Sequence, residues 1–150
     1  MKRKGFTIVE LVMTIVVLGM IIAIALPKLR QAWLNFNVRS ARLAFDAVAE
    51  RARTAAVHRG CVSTLNITTG SAGAVWVTAC PVSGSATSDT VGAIEPLATR
   101  YGVTMTPSRS SLQYDPRGVS VGNLSVTVVF TGAGSRSDSA MINQLGKVVR

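Results

Sequence analysis

Residues 2–27 read KRKGFTIVELVMTIVVLGMIIAIALP. Three cations and Gly5 lead into an apolar run over residues 6–26 that a single acid, Glu10, interrupts. As a helix rising about 1.5 Å per residue, a run of roughly 21 residues reaches about 31 Å, the thickness of a bilayer's hydrocarbon core. The chain is therefore expected to begin in a membrane, with Lys2, Arg3 and Lys4 holding their end in the cytoplasm. Glu10 is the anomaly. A carboxylate deep in a lipid-facing helix costs about 2.5 to 3.5 kcal/mol and marks a functional position.

Beyond that run, a chain of 150 residues has room for one compact domain. The formal charge is +9 with a pI near 10.8, and losing Lys2, Arg3 and Lys4 would leave +6. Such an excess suits a polyanion, nucleic acid or an anionic surface, and is equally the mark of an ordinary basic surface. Cys61 and Cys80 fall on the far side of the membrane, where an oxidising compartment permits a disulfide. Two cysteines and one histidine, His58, do not supply a four-ligand zinc site, so neither a metal nor another cofactor is expected.

Past Pro27 the apolar pattern changes character. Leu29, Trp33, Phe36, Ala41, Ala44, Phe45, Val48, Ala52, Ala55 and Ala56 recur at spacings of three and four, and Arg39, Arg42, Asp46, Glu50, Arg53 and Arg59 occupy much of the other side. That is an amphipathic helix over residues 28–59. Pro27 lacks the backbone donor and crowds the preceding turn, so a kink is expected where the two helical stretches meet. Gly60 supplies the stop.

The period then becomes that of strands. Residues 61–67 and 74–80 flank the turn-rich hexapeptide TTGSAG, which reads as a hairpin loop. Symmetric pairing about that loop sets Leu65 opposite Trp76 and Cys61 opposite Cys80, where a disulfide would close the hairpin; two buried free thiols are the alternative. Residues 81–92 read as a polar loop, and 93–100 give no decisive period. Further strands are expected at 101–105, 111–114 and 124–130. A turn is expected at Asp115-Pro116-Arg117-Gly118, a flexible loop at 131–137, and a last hairpin from 140–143 and 147–150. One amphipathic helix covering the apolar face of an antiparallel sheet, an α+β arrangement, follows from the pattern.

A catalytic constellation is not apparent, and an enzyme is not expected. His58 sits at a helix end beside Arg59; Gly132-Ala133-Gly134 lacks the lysine and the strand-to-helix context of a phosphate loop; the acids are scattered. The chemistry concentrates in Gly5-Phe6-Thr7-Ile8-Val9-Glu10-Leu11. This segment resembles the processing site of type IV prepilins, in which a membrane-embedded prepilin peptidase cuts after the glycine and methylates the new terminal amine. A short basic leader, Gly5, Phe6, Glu10, the apolar run and Pro27 all stand where that family has them. The resemblance implies a leader at residues 1–5, a transmembrane and assembly half of the helix at 6–27, an amphipathic half at 28–60 and a β-rich head at 61–150. It also accounts for Glu10, whose carboxylate would pair with the Phe6 amine of an adjacent subunit. A secretory signal with a small-x-small site at Ala23-Ile24-Ala25 is the competing reading. An apolar run of this length, with an acid inside it and helix following directly, speaks against it. A plain membrane anchor explains neither Gly5 nor Glu10.

The junction ERARTAAVHRG (residues 50–60) followed by a strand, the segment LQYDPRG (112–118) and the ending LGKVVR (145–150) are similar to the GspH/FimT family of minor pilins and type II secretion minor pseudopilins. The implied fold is a long kinked N-terminal helix, transmembrane in its first half, packed on an antiparallel β-sheet head. The implied function is that of a minor subunit processed by prepilin peptidase, held in the bacterial inner membrane with its head in the periplasm, and assembled with other subunits into a type IV pilus or secretion pseudopilus. Some members of the family instead bind DNA for natural transformation through a basic Gly-Arg-x-Arg segment. Here Gly146, Lys147, Val148 and Val149 stand in its place, with Arg150 one position late, so Lys147, Arg150 and Arg136 are the candidate contacts to double-stranded DNA. A major structural pilin is the remaining alternative.

Overall fold

The structure, a computed structural model, describes residues 7–81 and 88–149. Its dominant element is helix α1, Ile8–Arg59, which holds Pro27 in its interior. Thr7 caps its start, the hydroxyl accepting the Glu10 N–H at 3.3 Å. Gly60 ends it in the left-handed region at φ +62°, and the Cys61 N–H returns to the Ala56 carbonyl at 3.3 Å, as in a Schellman cap. The described residues fall into two compact units divided between Leu34 and Asn35. In the first, residues 7–33 are all exposed.

The second unit is the head. Strands β1 (Ser63–Ile67), β2 (Val75–Ala79) and β3 (Asp89–Thr90) are followed by the short helix α2 (Leu97–Tyr101). Strands β4 (Thr104–Pro107), β5 (Ser111–Tyr114), β6 (Val126–Gly132), β7 (Arg136–Ile142) and β8 (Val148–Val149) complete it. They form two antiparallel four-stranded sheets, ordered β3-β2-β1-β5 and β4-β6-β7-β8. The expectation of an α+β head with an antiparallel sheet is met with two sheets in place of one. Strict alternation buries Leu65, Ile67, Val75 and Val77 from the first sheet and Val126, Val128 and Phe130 from the second. All join one core with Val38, Ala41, Phe45, Val48, Ala49, Ala52, Ala55 and Ala56 of α1.

Five alanines on this helix face let the backbones approach closely: the buried Ser63 hydroxyl donates to the Ala52 carbonyl at 2.6 Å. Phe45 meets Phe130 edge to face, ring centroids 5.8 Å apart. At the other end of this packed stretch, a Cβ on Gly132 would stand 2.5 Å from the Val38 side chain, so only glycine lets β6 run this close to the helix.

Four expectations need correction. The packed face of α1 starts at Val38, leaving Leu29, Trp33 and Phe36 at 56, 63 and 65 % exposure although their spacing continues the stripe. The β1–β2 register is Leu65 to Val77 and Asn66 to Trp76, one residue from symmetric pairing. Thr68 closes the loop against Ala74, N–H to carbonyl at 2.9 Å with the Thr68 hydroxyl accepting the Ala74 N–H at 2.7 Å, and this register buries Leu65 with Val77. The supposed loop 131–137 is mostly strand: β6 and β7 pair out to Gly132 and Arg136, and the turn shrinks to residues 133–135. Finally, three bounds shift: β4 and β6 lie further along the chain than the apolar runs 101–105 and 124–130 suggested, 97–101 is helical, and the expected loop 81–92, of which 82–87 lie outside the described residues, ends in the short strand β3 paired with β2.

Candidate functional site

Glu10 stands in the first turn of α1, exposed, in a segment whose other described members as far as Leu26 are uncharged. Ile8, Val9, Leu11, Val12 and Met13 around it are each more than half exposed. By length and composition the front of α1 can cross a membrane, and none of its most apolar window is buried. Apolar side chains left uncovered all round a helix require a non-aqueous partner, lipid or other helices. Gly5 and Phe6, expected from the sequence to flank the processing site, lie outside the described residues.

The junction at the other end of α1 is tightly tied. Cys61 and Cys80 are bridged, Cα atoms 6.3 Å apart, although the register displaces them by one position from direct opposition. Arg59 donates to the Cys80 carbonyl at 2.6 Å and to the Asp89 carboxylate at 3.3 Å, binding the helix end to the hairpin and to β3. The two later landmarks also converge. Arg53 donates to the Gly118 carbonyl at 3.0 Å, and a Cβ on Gly146 would stand 2.8 Å from both that carbonyl and the Tyr114 ring. The segment LQYDPRG and the turn at Gly146 are thus joined beside α1 as architecture. Tyr114 is fully buried and its hydroxyl finds no hydrogen-bond partner; burial, with the Glu50 charge second, pushes its ionisation well above the usual tyrosine range.

The surface cations sort by their partners. Asp46, Glu50, Asp89, Glu95, Asp115 and Asp138 each have an arginine within ion-pair distance. In a two-pronged ion pair between helix and sheet, Arg42 reaches both Asp138 oxygens at 3.0 and 3.1 Å. Among the described residues of the head, Arg39, Arg51, Arg109, Arg136 and Lys147 have no carboxylate partner. Arg136 donates to the Asn35 side chain at 2.8 Å beside the 133–135 turn. Lys147 sits in the last turn, its N–H held by the Asn143 side chain at 2.9 Å. The 7-residue length of β7 separates the two, roughly 20 Å at about 3.3 Å per residue, so they do not form one patch. Arg150 lies outside the described residues. The sequence did not single out Arg109, since it does not reveal which arginines carboxylates will engage.

A long N-terminal helix, bare and apolar in front and packed on antiparallel sheets behind, is the architecture of the type IV pilin class. Residues 1–26 match the model of the prokaryotic N-terminal methylation motif. Two crystal structures of the type IV minor pilin FimU of Pseudomonas aeruginosa share the fold. One has a TM-score of 0.60 at 16 % identity, covering 75 % of this chain and 86 % of that one. The other, in a second crystal form, has a TM-score of 0.56 at 14 % identity, covering 74 % and 90 %. No curated protein matches the sequence. The chain therefore carries the pilin methylation motif on a minor-pilin-like fold.

Proposed function

We propose that this protein is a minor pilin or pseudopilin subunit. Prepilin peptidase cuts after Gly5 and methylates the Phe6 amine. The apolar half of α1 then holds the subunit in the inner membrane with its head in the periplasm, until it joins a type IV pilus or a type II secretion pseudopilus at a priming or tip position. The carrying observation is the methylation motif at the head of a helix whose exposed apolar front bears one carboxylate. Glu10 pairs there with the terminal amine of a neighbouring subunit, which removes the cost of a lone charge in an apolar setting. Its role is assembly, with no catalytic step. Mass spectrometry of the chain from membranes is expected to find methylated Phe6 as the first residue; a terminus after Ala25, at Leu26, overturns the reading in favour of secretion.

DNA capture is the second reading, favoured by head cations that no carboxylate neutralises. Lys147 is the first candidate contact, with Arg136 and Arg150 as separate ones. Binding of this kind is independent of sequence and falls steeply with salt. The purified chain is then expected to shift duplex DNA at low salt, with weaker binding in Lys147→Ala; no shift leaves assembly as its role.

A further inference from the structure

We propose that the turns just past Pro27, carrying Lys28, Leu29, Arg30 and Trp33, form an interfacial anchor that docks on anionic phospholipid headgroups at the outer face of the membrane. The proposal rests on the membrane-anchored reading above. All four residues are exposed on α1, and Leu29 and Trp33, four apart, share a side of the helix. An exposed tryptophan beside cations is ill placed in bulk water and well placed at a membrane boundary, where the ring takes the apolar side and the indole N–H the wet one.

Position and charge name the occupant. With the apolar run ending at Leu26, Leu29 lies about 4.5 Å and Trp33 about 10 Å further along the helix axis at about 1.5 Å per residue. The headgroup layer is about 5 to 8 Å deep on each side of the hydrocarbon core. Helical side chains lean toward the N-terminus, which carries the Trp33 ring back over the preceding turn and into that layer. Charge agrees: between Glu10 and Asp46 the sequence has no acid, so Lys28 and Arg30 meet no intervening carboxylate along the chain. Their long stems can lie on apolar surface while the charged ends reach phosphate. On a zwitterionic surface choline already offsets each phosphate, so an anionic surface attracts these cations more strongly, and a second copy of this basic segment would repel them.

The test uses the full chain with Trp76→Phe, so that Trp33 is its one tryptophan and can be excited selectively over Tyr101 and Tyr114, reconstituted into vesicles of phosphatidylcholine with or without phosphatidylglycerol. In the anionic vesicles, lipids brominated high on the acyl chain are expected to quench Trp33 at least twofold. Lys28→Gln with Arg30→Gln is expected to return quenching to the level in neutral vesicles, with head melting unchanged. A chain that floats with anionic vesicles while Trp33 stays open to an aqueous quencher overturns the proposal and leaves membrane anchoring intact. Failure to float at all overturns the anchored reading itself. Protection of Trp33 that rises with protein concentration and ignores lipid charge also overturns the proposal, assigning the face to a second copy.

Discussion

The two halves of α1 obey opposite rules. Residues 8–26 are apolar apart from Glu10 and Thr14, and every one of them is exposed. From Val38 to Ala56 the helix is apolar on one face only, and that face is shut against two sheets. The front half brings more hydrophobic surface per residue, yet it contributes nothing to the described core of the head. Hydrophobicity alone therefore does not mark a core. The back half packs because it alternates with charge, uses alanine where backbones must approach and places one large ring, Phe45, against Phe130.

The largest effect expected from this contrast comes from truncating one large side chain in each half. Phe45→Ala should cost the head about 3 to 5 kcal/mol, the range for a buried phenylalanine. Leu18→Ala, 59 % exposed in the wild type, should leave head melting within about 0.5 kcal/mol. Thermal melts of the full chain in detergent check both, and equal losses would erase the distinction. A smaller effect is expected at the floor of the core. The Tyr114 hydroxyl is buried without a partner, so Tyr114→Phe should be neutral or stabilising by up to about 1 kcal/mol at pH 7. Because the folded state holds the phenol protonated beyond the range in which unfolded tyrosine ionises, near pH 10, stability is full below that pH and falls as pH rises above it. The variant should lose that part of the alkaline decline in a pH-resolved melt. An unchanged alkaline slope would remove Tyr114 as its cause.

Much of this contrast was legible in the residues. Length, the lone Glu10, Pro27 and the switch to spacings of three and four marked both helical halves, and Gly60 marked the end. What the spacing did not reveal is where cover begins. Trp33 and Phe36 continue the stripe of Phe45, and only the approach of β6 at Gly132 shows that packing starts at Val38. Gly and Ser in residues 131–137 suggested a loose loop; the strands instead continue to a three-residue turn in which Gly134 and Ser135 both take positive φ. The hairpin register differs by one residue from symmetric pairing because the loop closes through a Thr68 hydroxyl, a side-chain contact that pattern alone does not show. The disulfide tolerates that slip. Charge totals likewise mark a basic head but not which cations the carboxylates engage, so nothing in the sequence sets Arg109 apart.

The claim that the bare half of α1 exists to meet other subunits through Glu10 is tested most directly by Glu10→Leu in the producing cell. The measurement is the fraction of the chain recovered in sheared filaments, or cross-linked to partner subunits where filaments are too short to shear. The variant is expected to reach the membrane with its head folded and to be lost from the assembly by at least about tenfold. Incorporation at the wild-type level would contradict it.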